Sequence, residues 1–194
     1  MKYIWILALL VLLCGCQGQR QAQRQETSTT IPTETATPTA VPPSPIGMFV
    51  TDILDTDEER VNNLKLCAGV LDGVQVEPGA EFSFNGTVGQ RTAEKGYEKA
   101  RILVEGHREY AIGGGICQIS STLYNAAAEA GMEILERHNH TNEVHYVEIG
   151  KDAAVSYGEQ DFRFRNVLEV PITIGIVVEN TQVKATIYKN VTKM

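Results

Sequence analysis

Gly113-Gly114-Gly115-Ile116-Cys117-Gln118 runs directly into Ile119-Ser120-Ser121-Thr122-Leu123-Tyr124-Asn125, so a turn almost bare of side chains delivers a thiol to the start of a helix. Glycines cost backbone entropy and are kept where the chain needs positive φ or where something approaches the backbone closely. A cysteine at a helix N-terminus lies among unpaired N–H groups and the positive end of the macrodipole, and both favour thiolate. The chemistry this points to is nucleophilic attack by sulfur. A free thiol with a pKa near 8.5 is only a few per cent ionised at neutral pH. A helix terminus adds at most ~2 kcal/mol, about 1.5 pKa units, which leaves the thiol roughly half ionised. A partner base must finish the activation.

His107, His138, His140 and His145 are the histidines of the chain. His138 and His140 flank Asn139 just past an expected strand; His140 is the first choice for the base and His138 the second. Asp152, Asn142 and Asp161 are candidates to orient the imidazole, with Asp152 preferred because it precedes an expected core strand. Gln118 and the Cys117 N–H are candidate donors to an oxyanion, and Gly114 and Gly115 leave room for substrate there. Arg91 and Tyr97, with Tyr124, Tyr157 and Arg165, are candidates to line a polar groove, although a Tyr in a helix or strand more often packs in the core. Cys67 lies within a helical stretch and reads as core packing. A Cys67–Cys117 disulfide stays open for an exported chain. So does a zinc site of Cys117, His138, His140 and His145, although its spacing matches no familiar zinc pattern. No metal and no cofactor is expected.

The elements that must position these groups read as follows. Thr56 to Glu59 forms a capping box opening a helix with Val61, Leu64, Ala68 and Leu71 on one face, closed by Asp72-Gly73. Glu77-Pro78-Gly79 is a turn before a short strand carrying Phe82 and Phe84. Thr92 to Lys99 is loop or short helix broken at Gly96, and Ala100–Val104 with Arg108–Ile112 is a hairpin turning at Glu105-Gly106. The helix after the triple glycine buries Ile119, Leu123, Ala126, Ala127 and Ala130 and ends at Gly131. Strands are expected at 133–137, 144–147, 153–157, 162–165, 172–178 and 183–188, and the alternation in Phe162-Arg163-Phe164-Arg165 predicts one wet face. The fold class is α+β, with two main helices packed on a mostly antiparallel sheet in a single domain.

The 194-residue chain does not all belong to that domain. Lys2 and the apolar run Ile4–Leu13 read as the front of a signal peptide, too short to span a bilayer. Leu13-Cys14-Gly15-Cys16 resembles the bacterial lipobox, with Cys14 as its one departure. On that reading residues 1–16 are a lipoprotein signal, Cys16 is lipidated, and two acyl chains hold the protein extracytoplasmically on a membrane. Simple secretion and an uncleaved anchor are the alternatives. Residues 17–47, rich in Gln, Thr, Ser and Pro, read as a disordered tether with a reach of roughly 30 Å, longer where proline-rich. Residues 48–194 hold 14 basic and 22 acidic side chains, a net charge of −8. That argues against nucleic acid and anionic lipid as partners of the globular part.

The ordered series Pro78-Gly79-Ala80-Glu81-Phe82-Ser83-Phe84-Asn85, Val88-Gly89-Gln90-Arg91-Thr92, Lys95-Gly96-Tyr97 and the triple-glycine helix resembles the VanW domain. Arg137-His138-Asn139-His140-Thr141, Gly150-Lys151-Asp152-Ala153 and Asp161-Phe162-Arg163-Phe164-Arg165-Asn166 extend the resemblance over 51–178. Thr141 stands where serine is expected, which keeps the hydroxyl. Some family members are L,D-transpeptidases that cross-link peptidoglycan through a cysteine, and the matching position here is Cys117. The resemblance therefore implies attack of Cys117 on a donor stem peptide, release of its terminal D-alanine, and transfer of the acyl group to an acceptor amine. A Cys peptidase or amidase of stem peptides, and a catalytically silent module binding wall peptide or glycopeptide, are the competing readings.

Overall fold

Alternating β-branched residues build the largest sheet. Ile172, Ile174 and Ile176 of one strand and Val183, Ala185 and Ile187 of the next all point to the same buried face. The structure, a computed structural model, describes residues 44–104 and 107–190. The signal segment, Cys16, residues 17–43 of the expected tether and the Glu105-Gly106 turn lie outside the described residues.

Four antiparallel strands form that sheet in the order β1 (Ser44–Asp52), β9 (Gln182–Lys189), β8 (Ile172–Glu179), β2 (Gln75–Val76). Two helices, α1 (Glu58–Leu71) and α3 (Ile116–Glu129), bury their apolar faces against it and touch each other. A smaller sheet follows the order β3 (Glu81–Ser83), β7 (Arg163–Arg165), β6 (Glu133–Glu136), and β4 (Lys99–Val104) pairs with β5 (His107–Ile112) as a separate hairpin. This is the expected α+β architecture. As expected too, Phe162 and Phe164 are fully buried while Arg163 and Arg165 face solvent, where they pair with Glu81, Glu133 and Glu136.

Several local expectations are corrected. The first strand begins at Ser44, so Ser44–Gly47 belong to the sheet and not to the tether. No apolar alternation marks this edge strand; its fit depends on Gly47, where a Cβ would collide with the Ala126 carbonyl oxygen of α3. The Thr56 capping box does not form: α1 starts at Glu58 with Asp57 as N-cap and no side-chain cap. Its buried face carries Asn63 and Cys67 beside Leu64, Ala68 and Leu71, whereas Val61 is only half-buried. Phe84 opens a five-residue helix, α2 (Phe84–Val88), because Ser83 caps it by accepting from the Gly86 N–H at 2.8 Å. Residues 144–147 are loop and not strand, and 153–157 make only isolated bridges through Ala154 and Ser156. Ala153 satisfies its backbone with the Ser120 and Ser121 hydroxyls of α3 instead of a ladder.

Candidate active site

Three glycines shape the turn before α3 for two different reasons. Gly113 and Gly115 have φ of 79° and 101°, in the left-handed region that L side chains disfavour, and Gly115 is the N-cap of the helix. Gly114 is needed for space: a Cβ there would strike the Ala100 carbonyl oxygen on β4. Buried Asn63 of α1 fastens the turn, its Nδ2 donating to Glu98 O at 3.0 Å and Gly114 O at 3.1 Å while its Oδ1 accepts from Glu98 N at 2.8 Å. A polar residue on the inner face of α1 is thus fully satisfied and holds the turn in place.

Cys117 is the second residue of α3 and is partly exposed. Its thiol faces the Val155 carbonyl oxygen at 3.6 Å, and the His140 imidazole lines the same cleft, near enough to act on the sulfur. On the other side of the ring, His140 Nδ1 lies 2.7 Å from Asp152 Oδ2, and the same oxygen accepts the His140 backbone N–H at 2.6 Å. The remaining Asp152 oxygen accepts from Arg137 Nη2 at 3.2 Å; Arg137 also donates to Asp152 O at 2.6 Å and Gly150 O at 2.7 Å and lies over the Tyr124 ring. Sulfur, imidazole and carboxylate therefore stand in series, with Arg137 behind the carboxylate.

The segment that carries Asp152 is held by the polar side of α3. Ser121 Oγ donates to Cys117 O at 2.7 Å and accepts from Ala153 N at 2.9 Å. Ser120 Oγ donates to Ala153 O at 2.6 Å, and Asn125 Nδ2 donates to Lys151 O at 2.7 Å. Hydroxyls at successive helical positions thus fix the carboxylate relative to the thiol, which explains why Ser120 and Ser121 are fully buried.

The charges respond accordingly. Burial pushes the Cys117 thiol up, but the hydrogen bond and charge of His140 outweigh it and the thiol sits below its usual value. Burial pulls His140 down, yet its bonds to Cys117 and Asp152 leave it above the ordinary imidazole range. Burial likewise works against the Asp152 carboxylate, and the two His140 hydrogen bonds win, holding it below the usual range. Cys67, by contrast, is fully buried and pushed up to about 12 by desolvation. Both cysteines are free thiols, so no Cys67–Cys117 disulfide joins them.

The sulfur opens on a cleft of about 300 Å³ shared by Arg60, Gly115, Cys117, His140, His145 and Tyr146. Several residues singled out from the sequence do not meet there. His138 turns its Nε2 to Glu136 Oε1 at 2.9 Å, because its backbone bridges to Ala154 and aims the ring away from the helix start. Gln118 borders the cleft, but both amide hydrogens are committed, to Thr51 Oγ1 at 3.0 Å and Asp52 O at 2.9 Å, so it has none left for an oxyanion. Arg91 lies behind the glycine turn, tied to Asn85 Oδ1 at 2.6 Å and Gly89 O at 3.0 Å. Tyr97 is core, 4% exposed, with its hydroxyl pushed up to about 12 by burial. Asp161 is occupied by Ser83 and by the Asn85 and Phe162 backbone N–H groups, so it orients no imidazole. Gly114 supports the turn from beneath, and Gly115 lines the cleft. Among the described residues no group of three or more His, Cys, Asp or Glu side chains is arranged to hold a metal ion, so the zinc alternative finds no ligand set there.

Sequence reasoning missed Arg60, Tyr146 and Arg137. Nothing in the local pattern around Arg60, in the first turn of a helix, or Arg137, just past a strand end, marks either for the site. Tyr146 sits in what resembles a strand, and its burial follows from a loop path with no periodic signature.

Comparison with known proteins places these observations in a family. The description "VanW like protein" matches residues 59–188, and the chain belongs to the VanW family. It is 46% identical over 129 residues to YoaR, an uncharacterized protein of Bacillus subtilis, covering 66% of this chain and 43% of that one. It is 30% identical over 131 residues to the vancomycin B-type resistance protein VanW of Enterococcus faecalis, covering 65% of this chain and 48% of that one. The chain spans less than half the length of these curated relatives. No solved structure matches it significantly.

Proposed function

We propose that this protein acts on the bacterial cell wall as a Cys-dependent L,D-transpeptidase of peptidoglycan stem peptides. The observation that carries the reading is the series Cys117 Sγ, His140, Asp152 at the mouth of the cleft. The name of the Enterococcus relative, a vancomycin resistance protein, supports the wall as the setting.

In the proposed reaction the Cys117 thiolate adds to the carbonyl of the penultimate residue of a tetrapeptide stem, forming a C–S bond. The first-turn N–H of Cys117, which a helix leaves without an internal partner, is positioned to stabilise the oxyanion. The C–N bond then breaks, His140 gives its proton to the departing amine, and D-alanine leaves. An acceptor amine loses its proton to His140 and attacks the thioester; a new C–N bond forms and the thiol is restored. Incubating the full chain with tetrapeptide muropeptides, with Cys117→Ala as the blank, tests this by mass analysis. Dimers one D-alanine lighter than two donors are the expected product. Tripeptides without dimers would make the enzyme a hydrolase, and unchanged muropeptides would leave only a binding role.

The same reading has Cys16 carry the lipid and the domain work outside the cytoplasmic membrane, tethered by the segment that follows. Among the described residues no helix is long and apolar enough to cross a membrane. Cells expressing the full chain are expected to incorporate labelled palmitate into it, and Cys16→Ala to abolish that label. Equal labelling of both chains would remove the anchor from the account.

A further inference from the structure

One cation at the cleft makes no ion pair among the described residues. Arg60 projects from the first turn of α1 into the cleft that holds Cys117 and His140. Its Nη2 donates to Gln118 Oε1 at 3.0 Å, and its Nη1 would lie 3.0 Å from a Cβ on Gly115. Its Nε is buried and has no hydrogen-bond partner. The neighbouring carboxylate, Asp55, is engaged by Arg101 at 3.3 Å, and no carboxylate among the described residues lies within ion-pair distance of Arg60. Burial pulls the Arg60 pKa down, against the opposing charges of Asp55 and Cys117. A guanidinium has five N–H donors in a planar fork that matches a carboxylate, and leaving a desolvated one unpaired is costly. Gln118, whose amide hydrogens are held elsewhere, offers only its oxygen to this group and so fixes its direction without neutralising it.

We infer that Arg60 is the carboxylate-recognition residue of the cleft, pairing with the free C-terminal carboxylate of the acyl donor. This rests on the transpeptidase reading and sharpens it. Arg60 and Cys117 line the same cleft, so a donor anchored by its carboxylate at the guanidinium presents its C-terminal end to the sulfur, and the transpeptidase reading sets the leaving group at one residue. The donor class is then a peptide that ends one residue past the attacked carbonyl, and internal peptide bonds or C-terminal amides are rejected. Asn62 and Asn63, next on the same helix, face Gly96 and Gly114 instead, so the selectivity falls on Arg60 alone in that turn.

Two measurements on the full chain test this. In the first, Cys117 is alkylated with iodoacetate or iodoacetamide and its adduct is quantified by peptide mapping. The iodoacetate-to-iodoacetamide rate ratio is expected to fall about tenfold in Arg60→Gln and much less in Arg60→Lys, as for loss of one charge-assisted pair. Arg165→Gln, on the solvent face of the small sheet, is expected to leave the ratio unchanged. An Arg60→Gln ratio equal to that of the unaltered protein overturns the inference. The second needs no variant. Diacetyl-L-lysyl-D-alanine is expected to slow iodoacetamide labelling of Cys117 at concentrations about tenfold below those its C-terminal carboxamide requires, and equal protection by the two overturns the inference. Failure of the transpeptidase reading looks different: muropeptides stay uncross-linked while the carboxylate preference persists.

Discussion

Removing the His140 imidazole is expected to slow alkylation of Cys117 by iodoacetamide at pH 7 by about 100-fold. The thiol is pushed up by burial and brought below its ordinary value chiefly by the hydrogen bond and charge of His140, with smaller help from the Val155 carbonyl and Arg91. Without that partner the burial contribution remains, and a thiol raised above its ordinary value is scarcely ionised at neutral pH. The pH profile gives the sign. In the unaltered protein the thiolate persists below the normal thiol range, because that pKa is lowered. Its imidazolium partner persists above the normal histidine range, because that pKa is raised. The two titrate as a pair, so the alkylation rate rises at lower pH than for an ordinary thiol and then levels off. In His140→Ala the rise moves to alkaline pH. Cys67, buried and pushed up to about 12, serves as the unreactive internal reference. A profile unchanged by His140→Ala would remove His140 as the base, and a loss confined to His138→Ala would reverse the assignment.

Asp152→Asn is expected to cost both stability and reactivity. One carboxylate oxygen receives two hydrogen bonds from His140 and the other receives Arg137, all largely shielded from solvent. Asparagine keeps the shape but removes the charge, leaving the Arg137 guanidinium uncompensated, a loss of about 3 kcal/mol. Denaturant unfolding followed by circular dichroism measures it. The linkage has a definite direction. The folded pKa of Asp152 is lowered, so its contribution is complete above the unfolded carboxylate value and disappears as pH falls through the folded one. The stability gap between the two proteins should therefore be full at neutral pH and close in acid. The His140 ring also loses the charge that orients it and favours imidazolium, and Cys117 alkylation at pH 7 is expected to fall about tenfold to 100-fold. A variant as stable and as reactive as the parent would show that Asp152 is merely adjacent.

The parts of the site that follow from local chain chemistry were legible in the residues themselves. Three glycines before a helical pattern place Cys117 at a helix start whatever else the chain does, since only glycine accepts the backbone of Gly113 and Gly115. The need for a base also follows from magnitudes alone, and the alternation in Phe162 to Arg165 gives the wet face of the small sheet. His140 and Asp152 were nameable as candidates, but not separable from His138 and Asp161 by spacing. What separates them is which carboxylate each imidazole reaches, and that depends on the path of a loop without periodicity.

The rest needed the tertiary structure because it arises from segments far apart in sequence. Arg60 and Gln118 are 58 positions apart, and only the packing of α1 against α3 turns an ordinary helical arginine into a desolvated cation beside the thiol. Gln118 looked like an oxyanion donor until Thr51 and Asp52 of the first strand claimed its hydrogens. The chain by itself determined the candidate nucleophile and the kind of partner it would require, because helix geometry and thiol acidity are local. The groups beside it and the guanidinium in its cleft were decided by three-dimensional packing, because desolvation and hydrogen-bond competition depend on neighbours that sequence order does not reveal.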